Sequence, residues 1–351
     1  MTAAVASPAR TQAGLRAAEG GKAALAVENL KAYYHTRHFG VSRDVAAVDD
    51  VSLKVRHNEI YGLAGESSSG KTTLIKTIAG LVRPPLRVVS GTIRFSFLPG
   101  YGGLHLAPPA EVERIRWRNL SYIMQSSMSV LNPVRRIRES FRDFAFGHMG
   151  LARRQFDAEV QAHLARVKLE PAVLSAYPHE LSGGMRQRVT IALATICRPE
   201  FIIADEPTTA LDVIVQKDVL DMLRAVQREL GSSILFVTHD MGVHAHLTDR
   251  LGIMYAGRLV EEGATGEMFT EPLHPYTRHL VASLPRIGDD APRQGLEGKP
   301  PNLADPPAGC RFHPRCPLAM EICRTTVPPM LPHGRDRRVA CFAVEKAGAP
   351  S

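Results

Sequence analysis

The segment Ile60-Tyr61-Gly62-Leu63-Ala64 runs directly into Gly65-Glu66-Ser67-Ser68-Ser69-Gly70-Lys71-Thr72. The uncharged first part reads as a buried strand, and the second fits G-x-x-x-x-G-K-[ST]. A helix is expected from Thr73 to about Gly80, where glycine marks its end. Strand, glycine loop and helix in that order constrain the chain to an α/β fold. They also predict a site: N–H groups of such a loop point inward around an anion, reinforced by the positive end of the helix. Lys71 would reach the β- and γ-phosphates of a nucleotide, and the Thr72 hydroxyl would ligate Mg2+.

Two further segments fit the same chemistry. Phe201-Ile202-Ile203-Ala204 reads as a second buried strand and ends in Asp205-Glu206. An acid at a strand's C-terminal edge is placed to hold magnesium, and its neighbour to orient or deprotonate an attacking water. In Leu181-Ser182-Gly183-Gly184-Met185-Arg186-Gln187-Arg188, Ser182 can cap a helix while two glycines let its backbone approach an anion.

This last segment resembles the signature motif of ABC ATPases, and the other motifs of that family occur in order. The resemblance implies an ABC-type P-loop nucleotide-binding domain with a helical subdomain, binding ATP and Mg2+. Gly65 to Thr73 would contact nucleotide, with Lys71, Glu206 and His239 catalytic. Tyr34 resembles the aromatic that stacks on adenine, with Tyr33 as the alternative. Gln125 resembles the glutamine that senses the γ-phosphate and joins Thr72 and Asp205 around Mg2+. Ala210-Leu211-Asp212 resembles the loop that crosses between subunits. His239, after the strand expected over Ser233 to Thr238, resembles the switch histidine. Ser182, Gly183, Gly184 and Asp212 would complete the ATP site of a second subunit.

A closer resemblance is to the oligopeptide/dipeptide importer ATPases, in the first of the two ATPases such systems encode. It rests on Tyr177-Pro178-His179-Glu180, Glu206-Pro207-Thr208-Thr209, Tyr255-Ala256-Gly257-Arg258 and His274-Pro275-Tyr276-Thr277-Arg278. It covers roughly Val27 to Cys341. The chain departs from the pattern at Ser68, where glycine is usual, and at Ser126 and Ser127, which replace an acid and a proline. The family also moves nickel and oligosaccharides, so the cargo stays open.

Prolines become frequent from Glu271 onward, which predicts a C-terminal region poor in regular structure. The expected organisation is a disordered tail over 1–24, a nucleotide-binding domain over 25–270 and an irregular Cys-rich domain over 271–351. The helical subdomain is expected at about 111–184. Cys310, Cys316, Cys323 and Cys341 follow C-x5-C-x6-C-x17-C. Clustered thiols in a cytoplasmic chain suggest a metal staple: a [4Fe–4S] cluster, as some members of the family carry, zinc, or none. Cys197 lies apart as an expected core thiol.

Composition narrows the partners. Lys+Arg number 43 against 35 Asp+Glu, a charge of +8, but no basic stripe is interleaved with aromatics, so nucleic acid is not expected. No apolar run of about 18 residues is present, so no transmembrane helix is expected. The resemblance implies a peripheral protein at the cytoplasmic face of the membrane. Its partners would be a second ATPase, two permease subunits and an extracytoplasmic binding protein. The rival reading is a soluble ABC ATPase of DNA repair or translation, which would carry two nucleotide domains or long coiled coils; neither is seen.

Overall fold

The computed structural model describes residues 23–38, 41–125, 130–209, 211–284, 295–334 and 336–344. Most of the expected tail lies outside that set, as do Ser126, Ser127 and Ala210.

Two sheets form the frame. Strands β1 (Ala23–His38), β2 (Val41–Arg56) and β4 (Leu86–Phe95) make an antiparallel sheet in the order β2-β1-β4. The second sheet holds β3 (Ile60–Ala64), β5 (Leu120–Ile123), β6 (Phe201–Asp205), β7 (Ser233–Val237), β8 (Arg250–Tyr255), β9 (Arg258–Ala264), β10 (Leu331–Pro332) and β11 (Arg338–Val339). Its order is β10-β11-β9-β8-β3-β7-β6-β5, parallel from β8 to β5 and antiparallel beyond.

The parallel strands are apolar because both faces are covered. Phe201 and Ile203 of β6 meet Leu25, Val27 and Leu53 of the small sheet, together with Leu74, Ile75 and Ile78 of α1 (Lys71–Ile78). Ile202 and Ala204, one position out of phase, face the helical layer. That layer includes α3 (Ile137–Phe141), α5 (Arg153–Arg166), α6 (Gly183–Thr195), α7 (Val213–Leu230) and α8 (Met241–Leu247); α2 (Pro109–Ile115) and α4 (Gly147–Met149) are shorter pieces. A fully buried side chain of these types contributes about 1.5–3 kcal/mol, so the two-sided strands anchor the whole domain.

The expected helical subdomain over 111–184 contains β5, a strand of the main sheet. The described helices of that stretch begin again only at Ile137. The C-terminal region carries α10 (Pro275–Ala282) and α11 (Glu321–Thr325), after α9 (Thr265–Thr270). It is stitched into the main sheet rather than appended: β11 pairs with β9, and Phe312 packs with Tyr255 and Tyr276. Among the described residues no helix is long and apolar enough to cross a membrane.

Candidate nucleotide site

The loop Gly65 to Thr72 leaves the C-terminal end of β3 and enters α1. The helix begins at Lys71, two residues before the expected Thr73, because Gly70 serves as its cap at φ +102°. Glycine is required twice here. A Cβ on Gly65 would lie 2.2 Å from the Met254 carbonyl oxygen, and one on Gly70 2.0 Å from that of Ala47. Ser68 adopts φ +65°, a left-handed conformation that costs a side-chain-bearing residue about 1 kcal/mol or more. The departure from glycine noted in the sequence is therefore accommodated at the cost of backbone strain.

An open cleft of about 380 Å³ lies over the loop. Separate segments bring Tyr34, Ser67, Ser68, Ser69, Gly70, Lys71, Thr72, Thr73, Gln125, Asp205, Glu206 and His239 to its wall. Tyr34 bonds the Thr73 hydroxyl at 3.2 Å, whereas Tyr33 donates to Asp49 at 2.7 Å. The tyrosine at the cleft is thus Tyr34. Leu303, from the C-terminal region, also lines the cleft near Val45 and Ala47, and its carbonyl accepts the Ala46 N–H at 2.9 Å. Nothing in the local sequence marks it.

Lys71 is 7% exposed. Its ammonium donates to the carbonyls of Gly65 (2.7 Å) and Glu66 (2.8 Å) and to Ser69 Oγ (3.2 Å). Burial pushes it down to about 8, against the pull of Glu206, Asp205 and Glu66. Asp205 ends β6 and accepts from Tyr122 Oη at 3.1 Å; burial raises its carboxyl, and the neighbouring charge of Glu206 adds to that. In both groups burial disfavours the charged form, so a nearby charge of opposite sign would restore it.

Glu206 is the hub. Its carboxylate accepts from His239 Nδ1 at 3.0 Å, Gln125 Nε2 at 2.9 Å and Thr209 Oγ1 at 3.1 Å. Burial alone would raise its carboxyl, but the bond and charge of His239, then Thr209 and Lys71, hold it below the ordinary value. Its backbone sits at φ +46°, an uncommon conformation for a long side chain and one that recurs at functional sites. Thr209 was not singled out by its sequence; its role follows from a turn only the fold reveals.

Ser182, Gly183, Gly184 and Asp212 do not line this cleft. Ser182 caps α6, accepting the Met185 N–H at 3.3 Å, and Asp212 caps α7, accepting that of Val215 at 2.9 Å. Gly184 is required by packing, since a Cβ there would meet Val215 Cγ1 at 2.6 Å. Beside these caps Val213 and Ile214 are 80% and 78% exposed.

The four clustered cysteines are free and line one narrow cavity of about 10 Å³, with His274 and Phe312. Burial first, then the neighbouring thiols, raises Cys310 to about 11; burial likewise raises Cys316 and Cys341. Among the described residues no three His, Cys, Asp or Glu are arranged to hold a metal ion. The expected [4Fe–4S] cluster finds no support in this arrangement: the side chains converge, but on a space about the size of one water. Cys197 packs against the helical core, and burial raises its thiol to about 11. A second cavity, of about 400 Å³, lies away from the loop, among Asp50, Arg258, His274 and Val327.

The profile of the ABC transporter family matches residues 48–209, and that of the oligopeptide/dipeptide transporter C-terminal region matches 260–323. The chain is 38% identical over 325 residues to the dipeptide transport ATP-binding protein DppD of Caldanaerobacter subterraneus, covering 91% of this chain and 97% of that protein. It is 42% identical over 340 residues to a putative peptide import ATP-binding protein of Brucella abortus, covering 93% and 98%. The oligopeptide transport ATP-binding protein OppD of Salmonella typhimurium is 41% identical over 302 residues, covering 85% and 88%. Among solved structures, the dimeric ABC transporter cassette MJ0796 aligns at 24% identity with a TM-score of 0.58, over 69% of this chain and 98% of that one. CbiO1 of Clostridium perfringens aligns at 24% identity with a TM-score of 0.59, over 72% and 92%; both share the fold. A phosphate loop, a buried lysine and a carboxylate hub on this frame, with relatives of that identity along nearly the whole chain, place it in the ATP-binding protein family of oligopeptide/dipeptide ABC transporters.

Proposed function

We propose that the chain binds ATP with Mg2+ in the cleft over Gly65–Thr72 and hydrolyses it to drive a peptide importer. The observation that carries this reading is the meeting of Lys71, Gln125, Asp205, Glu206 and His239, from separate segments, around one cleft. In the hydrolytic step water attacks the γ-phosphorus, the bond to the β,γ-bridging oxygen breaks, and the water's proton passes to Glu206. His239, Gln125 and Thr209 hold the carboxylate that receives it. Lys71 leaves the carbonyls of Gly65 and Glu66 for the β- and γ-phosphates. Tyr34 stacks on the adenine, with Leu303 beside it. Thr72, Asp205 and Gln125 offer oxygen donors at the same wall, a set suited to magnesium, which would neutralise phosphate charge.

Ser182, Gly183, Gly184 and Asp212 act on the ATP of a partner ATPase. Their place outside the cleft and the exposed Val213 and Ile214 support a face that closes against a second subunit. Met124, Val130 and Val134, exposed and within ten positions of Gln125 in the sequence, suit contact with a permease at the cytoplasmic face. An extracytoplasmic binding protein would supply the cargo. On the family resemblance alone, Cys310, Cys316, Cys323 and Cys341 would be the ligand set of a [4Fe–4S] cluster. Iron and acid-labile sulfide in anaerobically purified protein test that assignment.

The deciding experiment is purification of the full chain from native membranes in mild detergent, with co-purifying proteins identified by mass spectrometry. Two permeases, a second ATPase and a binding protein are expected. Recovery of soluble nucleic-acid enzymes alone overturns the transport reading in favour of a soluble ABC ATPase.

A further inference from the structure

The phosphate loop is held from outside its own strand–helix unit. Arg315, 249 positions beyond Glu66, donates to both oxygens of that carboxylate, at 2.9 and 3.2 Å. The Arg315 side chain is 6% exposed, and it also donates to Tyr255 Oη at 3.2 Å and to the Glu297 carbonyl at 3.0 Å. From α10, Tyr276 Oη accepts the Glu66 N–H at 2.8 Å. Tyr276 is itself fully buried, its ring edge-on to Tyr255 at 4.7 Å between centroids.

Glu66 is therefore fixed at two points by the C-terminal region, while its carbonyl is one of the oxygens that hold Lys71. A planar guanidinium meeting a carboxylate fork to fork sets a direction as well as a distance, which an ammonium does not. An amide anchored at the same residue fixes the plane of the peptide that opens the loop. Whatever holds Glu66 thus sets where the Lys71 ammonium rests and how the first loop N–H groups point.

We infer that Arg315 and Tyr276 are positioning residues for nucleotide: through Glu66, the C-terminal region shapes the phosphate loop. This rests on the reading of the cleft as an ATP site. The test measures Kd for Mg·ATP, together with thermal unfolding, on the full chain as wild type, Arg315→Met, Arg315→Lys and Tyr276→Phe. Arg337→Met is the structural control: it removes an equally buried arginine of the same region, whose partner, Glu261 of β9 at 2.6 Å, does not touch the loop.

Arg315→Met is expected to weaken ATP binding about tenfold, the scale of coupling between residues in direct contact. Arg315→Lys and Tyr276→Phe should weaken it less, and Arg337→Met should lower Tm while keeping the wild-type Kd. Adding Glu66→Gln to Arg315→Met should cost little more, since both break one link. A wild-type Kd in folded Arg315→Met, or an equal loss in Arg337→Met, overturns the inference and leaves the ATP site standing. Should Arg315→Met fail to fold, wild-type Kd values in both Arg315→Lys and Tyr276→Phe overturn it instead. A wild-type chain that binds no Mg·ATP overturns both readings.

Discussion

The two faces of this ATPase that carry its motifs are finished to different degrees. On the loop side, Lys71 has three oxygens around it and Glu206 three donors, all from the same chain. On the Ser182 side the polar groups do no more than cap helices, and the apolar residues next to them, Val213 and Ile214, face solvent. One half is preorganised, so its groups need little rearrangement when charge develops. The other presents a surface whose function waits for a second molecule.

The largest effect should come from the finished half. Glu206→Gln keeps the shape and loses the base, so steady-state hydrolysis should fall by about 10²–10⁴ while ATP binding persists. Turnover at the wild-type rate would remove Glu206 from its role. Next in size is a pH effect. Phosphate favours the charged form of Lys71, which burial depresses to about 8. The ammonium is present at pH 7 and lost as pH rises through 8, so ATP affinity should drop about tenfold between pH 7 and pH 9. A flat profile by calorimetry would mean that Lys71 does not bind phosphate. For stability the sign is opposite: the unfolded chain holds that proton more tightly, so Lys71 costs stability at neutral pH and less of it as pH rises through 8.

The smallest effect tests the unfinished half. Ser182→Ala should cost the isolated chain about 1 kcal/mol as a lost cap, read by denaturant unfolding, and leave its ATP Kd unchanged. Turnover of the assembled transporter should nevertheless fall. A weaker Kd in the isolated chain would place Ser182 in its own cleft and erase the contrast.

What could be read in advance was what is local. The loop, the strand ending in Asp205-Glu206 and the histidine after β7 each lie within a few residues of the pattern that marks them. Thr209 needed a turn, and Leu303, Tyr276 and Arg315 needed a fold that brings positions more than 200 apart into contact. β11 is two residues long, too short for any periodicity, so its place in the main sheet had no signal. Several arginines between 114 and 166 make surface ion pairs that no local pattern marks, as in Arg135–Asp143, Arg142–Asp157 and Arg166–Glu229. The cysteine spacing marked a real cluster but not its geometry, because loop paths rather than residue counts decide how thiols face one another.

The stitching of the C-terminal region into the sheet also sets an order of events during synthesis. Glu261 is made 76 residues before Arg337, its buried partner, and Glu262, already paired with Arg250, gains Arg338 after the same interval. At translation rates of about 5–20 residues per second that is a wait of about 4–15 seconds. Glu66 waits for Arg315 across 249 positions, or about 12–50 seconds by the same rate. The phosphate loop, made well before the C-terminal region, acquires its full set of contacts only when that region has followed it out of the ribosome.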